Sequence, residues 1–179
     1  MKILHEWGLR KNIIDHSIIV KDIAIQMIKK IRNSNENVEI DDELVEAGAL
    51  LHDIGRIKSH GIEHGYYGGE LLKDTNIDER IARCAMVHVL GGFTLEDIRA
   101  EFSNDLKEKI EIPLIPETLE EKIVCLADKH VIGTRKVSLE KRFTRWFKKY
   151  GRTPFLIKAR YRVLQIEKDI KEFLNDTHS

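Results

Sequence analysis

Apolar residues recur three and four positions apart through nearly every segment of this chain, and the alternating runs of half-buried strands are almost absent. That period predicts an all-α fold, a helical bundle in which each helix buries one stripe. Histidines interrupt the stripes. In the first predicted helix Ile13, His16, Val20, Ile23, Met27 and Ile31 share a face, and the run from Asn33 to Asn37 ends the helix. A second helix, capped by Asp41 or Asp42, passes through Leu44, Gly48 and Leu51 to His52 and Asp53, with Gly55 placed to end it. Its Ala47-Gly48-Ala49 cluster lets another helix approach closely. A third segment starts near His64 and continues through Tyr67 and Leu71; a fourth, capped by Asp78, puts Ile81, Cys84, Ala85 and His88 on one face.

Thr94 caps a helix through Ile98 and Phe102, and Pro113 and Pro116 mark the stretch that reads as a loop. Thr118 and Glu121 then form a capping box for a helix in which Val124, Asp128 and Val131 share a face, so an acid stands where an apolar residue is expected. Ser138 and Thr153 are candidate caps of two C-terminal helices, the second supported by Pro154 at its first position. Leu139, Phe143, Trp146, Phe147 and Tyr150 make the first amphipathic. Ile157, Val163, Ile166, Ile170 and Phe173 do so for the second. There is no internal repeat or low-complexity tract.

With 179 residues, 42% hydrophobic and 34% charged, the chain can bury the core of one domain and is unlike a disordered sequence. We expect a core over residues 1–135 and a basic helical extension, 136–179, packed on the same domain. The two cysteines, Cys84 and Cys125, lie in separate apolar patterns, which argues against a disulfide framework or zinc ribbon and for buried thiols. The N-terminus lacks an uninterrupted apolar signal region and no window reaches the length of a membrane span, so a cytoplasmic protein with no membrane partner is expected. Net charge is zero but uneven: eleven Lys or Arg stand against Glu140 alone between Arg135 and Arg162.

Carboxylates and imidazoles on buried stripes need partners. His16, His52, His64 and His88 on four different segments, with Asp53 and Asp128, are explained together by a cation. Mixed imidazole and carboxylate donors suit manganese, iron, cobalt, nickel or zinc, one or two ions per chain. Such a site activates water and polarises a phosphoryl oxygen. A buried His–Asp hydrogen-bond network without metal is the alternative.

The order His16, then Leu-Leu-His52-Asp53-Ile54-Gly55, then Leu-Ala-Asp128-Lys129 resembles the HD-domain phosphohydrolases, over roughly Asn12 to Arg135. The resemblance implies a bundle of about five helices in which His16, His52, Asp53 and Asp128 bind metal. His64 in E-H-G-Y-Y-G-G and His88 in V-H-V-L-G-G are similar to two further histidines of a subgroup with a two-metal centre. The run from Ala127 to Arg135 is similar to small members that cleave dinucleoside polyphosphates, which implies nucleotide anhydrides as substrate class. Arg56 stands where Lys is commonest after H-D-I-G. Nothing matches from Ser138 onward, so substrate selection is expected there.

The reading that follows is a metal-dependent phosphohydrolase cleaving a phosphate ester or anhydride, with Asp53, Arg56 and Lys129 as catalytic candidates and Asp53 serving both as ligand and as proton acceptor. Arg56, Lys129 and Arg135 are the candidate phosphate binders. The ligand class is a phosphorylated small molecule, a nucleotide above all. The rival reading is a regulatory or nucleic-acid-binding HD module that holds nucleotide or RNA on its basic C-terminal face, where aromatic residues stand among the cations. His5, His60, His130 and His178 have no comparable setting, although His60 lies one helical turn before His64 and competes with it for the same position.

Overall fold

The computed structural model describes residues 6–175, so His5 and His178 lie outside it. Nine α-helices are present among the described residues: α1 (Lys11–Ser34), α2 (Asp42–Leu51), α3 (His64–Lys73), α4 (Glu79–Val87), α5 (Leu95–Glu101), α6 (Asn104–Lys109), α7 (Leu119–Lys129), α8 (Leu139–Tyr150) and α9 (Pro154–Asn175). Between α7 and α8 lies a two-stranded antiparallel hairpin, β1 (Val131–Ile132) and β2 (Arg135–Lys136). The fold is all-α, as the periodicity requires. No helix among the described residues is long and apolar enough to cross a membrane.

Local capping chemistry starts most of these helices. Asp41 accepts from the Leu44 amide, Ser138 from that of Lys141 and Thr153 from that of Leu156, while Thr94 with Asp97 and Thr118 with Glu121 close full capping boxes. Each bond satisfies an amide that the first turn leaves without a helical acceptor.

Helix α1 packs on α2 and α7 through Val20, Ile23, Ala24, Ile28 and Ile31, and the same apolar cluster takes in Leu139 and Phe143 of α8 and Val163, Ile166 and Ile170 of α9. The basic C-terminal segment therefore shares a core with α1 and α7. A second cluster gathers Val87, Phe93, Ile98, Phe102, Leu106 and Leu114 with Leu156 and Ala159. Ile157 is corrected: it is 48% exposed, and α9 buries Leu156 and Ala159 instead, one position off the expected stripe at its start. Where Gly48 lies, an added Cβ would come 3.0 Å from the Cβ and Sγ of Cys84, so this position does admit α4 closely.

The role expected of Gly55 is also corrected. Helix α2 stops at Leu51, and Gly55 sits inside a 3-10 turn, Ile54–Ile57, that presses on α3. A Cβ there would fall 1.9 Å from the His64 carbonyl oxygen and 2.4 Å from the Gly68 amide. Across α3, a Cβ at Gly69 would fall 2.1 Å from Cγ of Met86 on α4. These two contacts draw the 3-10 turn, α3 and the end of α4 together, and with them Asp53, His64 and His88.

Candidate metal centre

His16 projects from the second turn of α1, His52 and Asp53 from the end of α2, His64 from the start of α3, His88 from the end of α4 and Asp128 from the last turn of α7. All six are buried. Each ring is oriented by a bond to a backbone carbonyl: Nδ1 of His52 donates to Ala49 at 2.7 Å, that of His88 to Ala85 at 2.7 Å, that of His64 to Gly61 at 2.6 Å, and that of His16 to Gly133 in the hairpin turn at 2.8 Å. Three of these acceptors lie three residues back along the chain, so sequence alone fixes the tautomer once the segment coils. With Nδ1–H donated, the neutral ring turns an Nε2 lone pair inward.

Four Nε2 atoms and two carboxylates therefore converge. His64 Nε2 lies 2.9 Å and His88 Nε2 3.5 Å from Asp53 Oδ1, and His16 Nε2 lies 3.0 Å from Asp128 Oδ1. His52 Nε2 sits between the acids, 3.8 Å from Asp53 Oδ2 and 3.9 Å from Asp128 Oδ1, and has no hydrogen-bond partner among the described residues. A buried polar atom left so is costly, and an acceptor set of this kind fits a divalent cation. Two overlapping triads have donor atoms close enough for one ion: His16, His52 and Asp128, and His52, Asp53 and His88.

The charges agree. Burial pushes the His52 imidazole below its ordinary value and His88 down to about 3, so both stay neutral. Burial also opposes the charge of Asp53, but His52, His64 and His88 outweigh it and hold the carboxyl well below the usual range; Lys129, His16 and Arg142 do the same for Asp128. Burial would lower His16, but Asp128 overcomes it and raises this imidazole. Asp53 is thereby held in its ionised form, as a cation-binding carboxylate would be.

The cluster forms the floor of a cavity of about 360 Å³ into which His16, Asp53 and Asp128 open. Arg10, Arg56 and Arg142 line its walls, with His60 beside them. Arg56 spends its Nε on Asp53 at 3.1 Å and one terminal nitrogen on the His60 carbonyl at 3.0 Å. Arg142 of α8 reaches to 3.5 Å from Asp128 Oδ1 and donates to the Val131 carbonyl. Lys129 does not line the cavity: it is buried, with its ammonium on Asp128 Oδ2, where it leaves Oδ1 facing the cluster. Arg135 is exposed on β2 and does not line the cavity either. Arg10 and Arg142 carried no signal beyond their charge. His64, not His60, joins the cluster, while His60 is exposed at the rim.

The HD domain family matches residues 13–131. The chain is 36% identical to an uncharacterized protein of Methanocaldococcus jannaschii over 92% of its own length and 90% of that protein. It is 39% identical to the tRNA (cytidine(56)-2'-O)-methyltransferase of Picrophilus torridus over 72% of its length, which spans 34% of that enzyme. Among solved structures, the HD domain of the L. monocytogenes phosphodiesterase PgpH, in complex with cyclic-di-AMP, is similar with a TM-score of 0.47 and 17% identity, over 99% of this chain and 97% of that one. From residue 13 to residue 131, this chain belongs to the HD domain family.

Proposed function

We propose that this protein is a metal-dependent phosphohydrolase that cleaves a phosphate ester or anhydride of a nucleotide. The observation that carries the reading is the convergence of four Nε2 lone pairs and two ionised carboxylates beneath a cavity walled by three guanidiniums. His16, His52, Asp53 and Asp128 would hold one divalent ion, and Asp53, His64 and His88 a second. Such ions polarise a phosphoryl oxygen and lower the pKa of water toward ~7.

The remaining steps belong to the chain. Arg10, Arg56 and Arg142 bind the phosphate, since guanidinium groups match its oxygens bidentately. Arg56 also couples substrate to ligand, because its Nε holds Asp53. Lys129 holds Asp128 ionised and fixes which oxygen it presents. The backbone carbonyls of Ala49, Gly61, Ala85 and Gly133 keep the four rings in the ligating tautomer.

Elemental analysis of the purified protein, followed by a panel of phosphomonoesters, phosphodiesters and dinucleoside polyphosphates, tests the reading. Wild type retains a transition metal and hydrolyses at least one class; His52→Ala and Asp53→Ala lose most of the metal and the activity. Folded variants with wild-type metal content would overturn the site.

A nucleic-acid-binding or regulatory role is the second reading, favoured by cation–aromatic pairs on and beside α8. Arg142 lies 4.6 Å from the Trp146 ring centre, Lys149 4.8 Å from Tyr150 and Arg152 4.9 Å from Phe147. The tRNA-modifying name of the Picrophilus relative supports RNA as ligand in this reading.

A further inference from the structure

We propose that a second cavity beside the metal centre is the subsite for the nucleobase of the substrate, an inference that rests on the hydrolase reading. The cavity holds about 410 Å³, within the range of small-ligand sites. It shares Arg56 and His60 with the cavity over the cluster, and His64 lies in its wall. The far end is aromatic, made by Trp146 and Tyr150 of α8 and Phe155 of α9. Arg56 and His64 thus tie the space to the cluster, Glu101 adds a carboxylate to its lining, and the aromatic residues offer stacking surfaces, so a nucleotide with its phosphate over the cluster would meet them with its base.

Two further features mark the groove as built. Arg142, which lines the first cavity, also lies against the Trp146 ring and so bridges the two. Leu90 lines the groove with φ 55° and ψ 24°, a left-handed backbone that a branched residue adopts only when its surroundings impose it. Moreover, Trp146, Tyr150 and Phe155 all follow the segment that matches the HD family, so the groove joins the shared core to this chain's own C-terminal helices. Tyr150 is 55% exposed, ready to stack without repacking the core. Bases stack on such rings with little regard to sequence.

The test uses the full chain carrying Trp7→Phe, which leaves Trp146 as its only tryptophan. Nucleoside 5'-monophosphates of the four bases should quench its emission, and ribose 5-phosphate at equal concentration should not. Tyr150→Ala should weaken mononucleotide binding roughly tenfold, the size of one stacking contact, without altering metal content or ribose 5-phosphate binding; Tyr150→Phe should restore it. Tighter binding of a short 5'-phosphorylated oligoribonucleotide would name an RNA end as the source of the base, and tighter binding of the mononucleotide would name a free nucleotide. Equal binding of nucleotides and ribose 5-phosphate, or nucleotide binding indifferent to Tyr150→Ala, would overturn the groove assignment. Base-dependent binding with no hydrolysis by the metal-loaded protein would keep the groove and remove the hydrolase reading. Hydrolysis of nucleotides and ribose 5-phosphate with kinetics unchanged by Tyr150→Ala would do the reverse.

Discussion

The Nε2 atoms of His64 and His88 stand 3.1 Å apart although each ring already donates its Nδ1 proton to a backbone carbonyl. Burial pushes the His88 imidazole down to about 3, so its Nε2 lone pair faces Asp53 Oδ1 at 3.5 Å, and two acceptors so placed repel. A cation between these rings and Asp53 relieves the repulsion. We therefore expect about two ions per chain in the fully metallated wild type, about one in His88→Ala, and loss of most hydrolysis, because one ion no longer stabilises both attacked and leaving oxygens. Elemental stoichiometry decides it; an unchanged count in a folded His88→Ala protein defeats the two-ion reading.

Gly55→Ala should damage the site without touching a ligand. The added methyl collides with backbone atoms of His64 and Gly68, which cannot rotate away as a side chain can. The 3-10 turn and α3 must separate, moving His64 from Asp53. A loss of about 1–3 kcal/mol in stability is expected from overpacking of this kind, read by urea unfolding, with lower metal affinity in the folded fraction. Unfolding at the wild-type urea concentration would show that the turn and α3 separate at no cost.

The metal-free protein should lose stability as pH falls from about 6.5 toward 3. His88 has its folded value depressed to about 3, so between that pH and its ordinary 6.5 the unfolded chain binds a proton that the folded chain refuses. His52, also depressed, acts in the same direction, and His16, which is raised, opposes them. At pH 5 the His88 contribution alone is roughly 2 kcal/mol. Urea midpoints of chelator-treated protein at pH 7.5 and 5 measure this, and a midpoint that rises on acidification contradicts it.

Reversing Arg145, Lys148 and Lys149 to Glu should weaken polyanion binding and leave metal content intact. All three are exposed on α8, away from the buried face that holds Leu139 and Phe143. Cationic surface of this kind acts through steering and phosphate contact, with a strong dependence on salt. Binding of labelled RNA and nucleotide at low and high salt is the measurement. Wild-type affinity in the triple variant at low salt would reduce the face to solvated charge.

The helices and the histidines they carry were legible in the sequence because both depend on neighbours within four residues. Asp41, Thr118 and Ser138 cap through amides three positions on, and His52 and His88 find their Nδ1 acceptors three positions back. Stripe positions then sufficed to bring His16, His64 and Asp128 inward. Tertiary packing decided the rest. Arg142 comes within 3.5 Å of Asp128 from a different helix, and Lys129 lies buried against Asp128 outside the cavity lining, both set by how each helix is rotated about its axis. The same rotational freedom exposes Ile157 and buries Leu156 at the start of α9. A 3.6-residue period gives each helix a face, but the direction that face takes is set by the volumes of the helices packed against it.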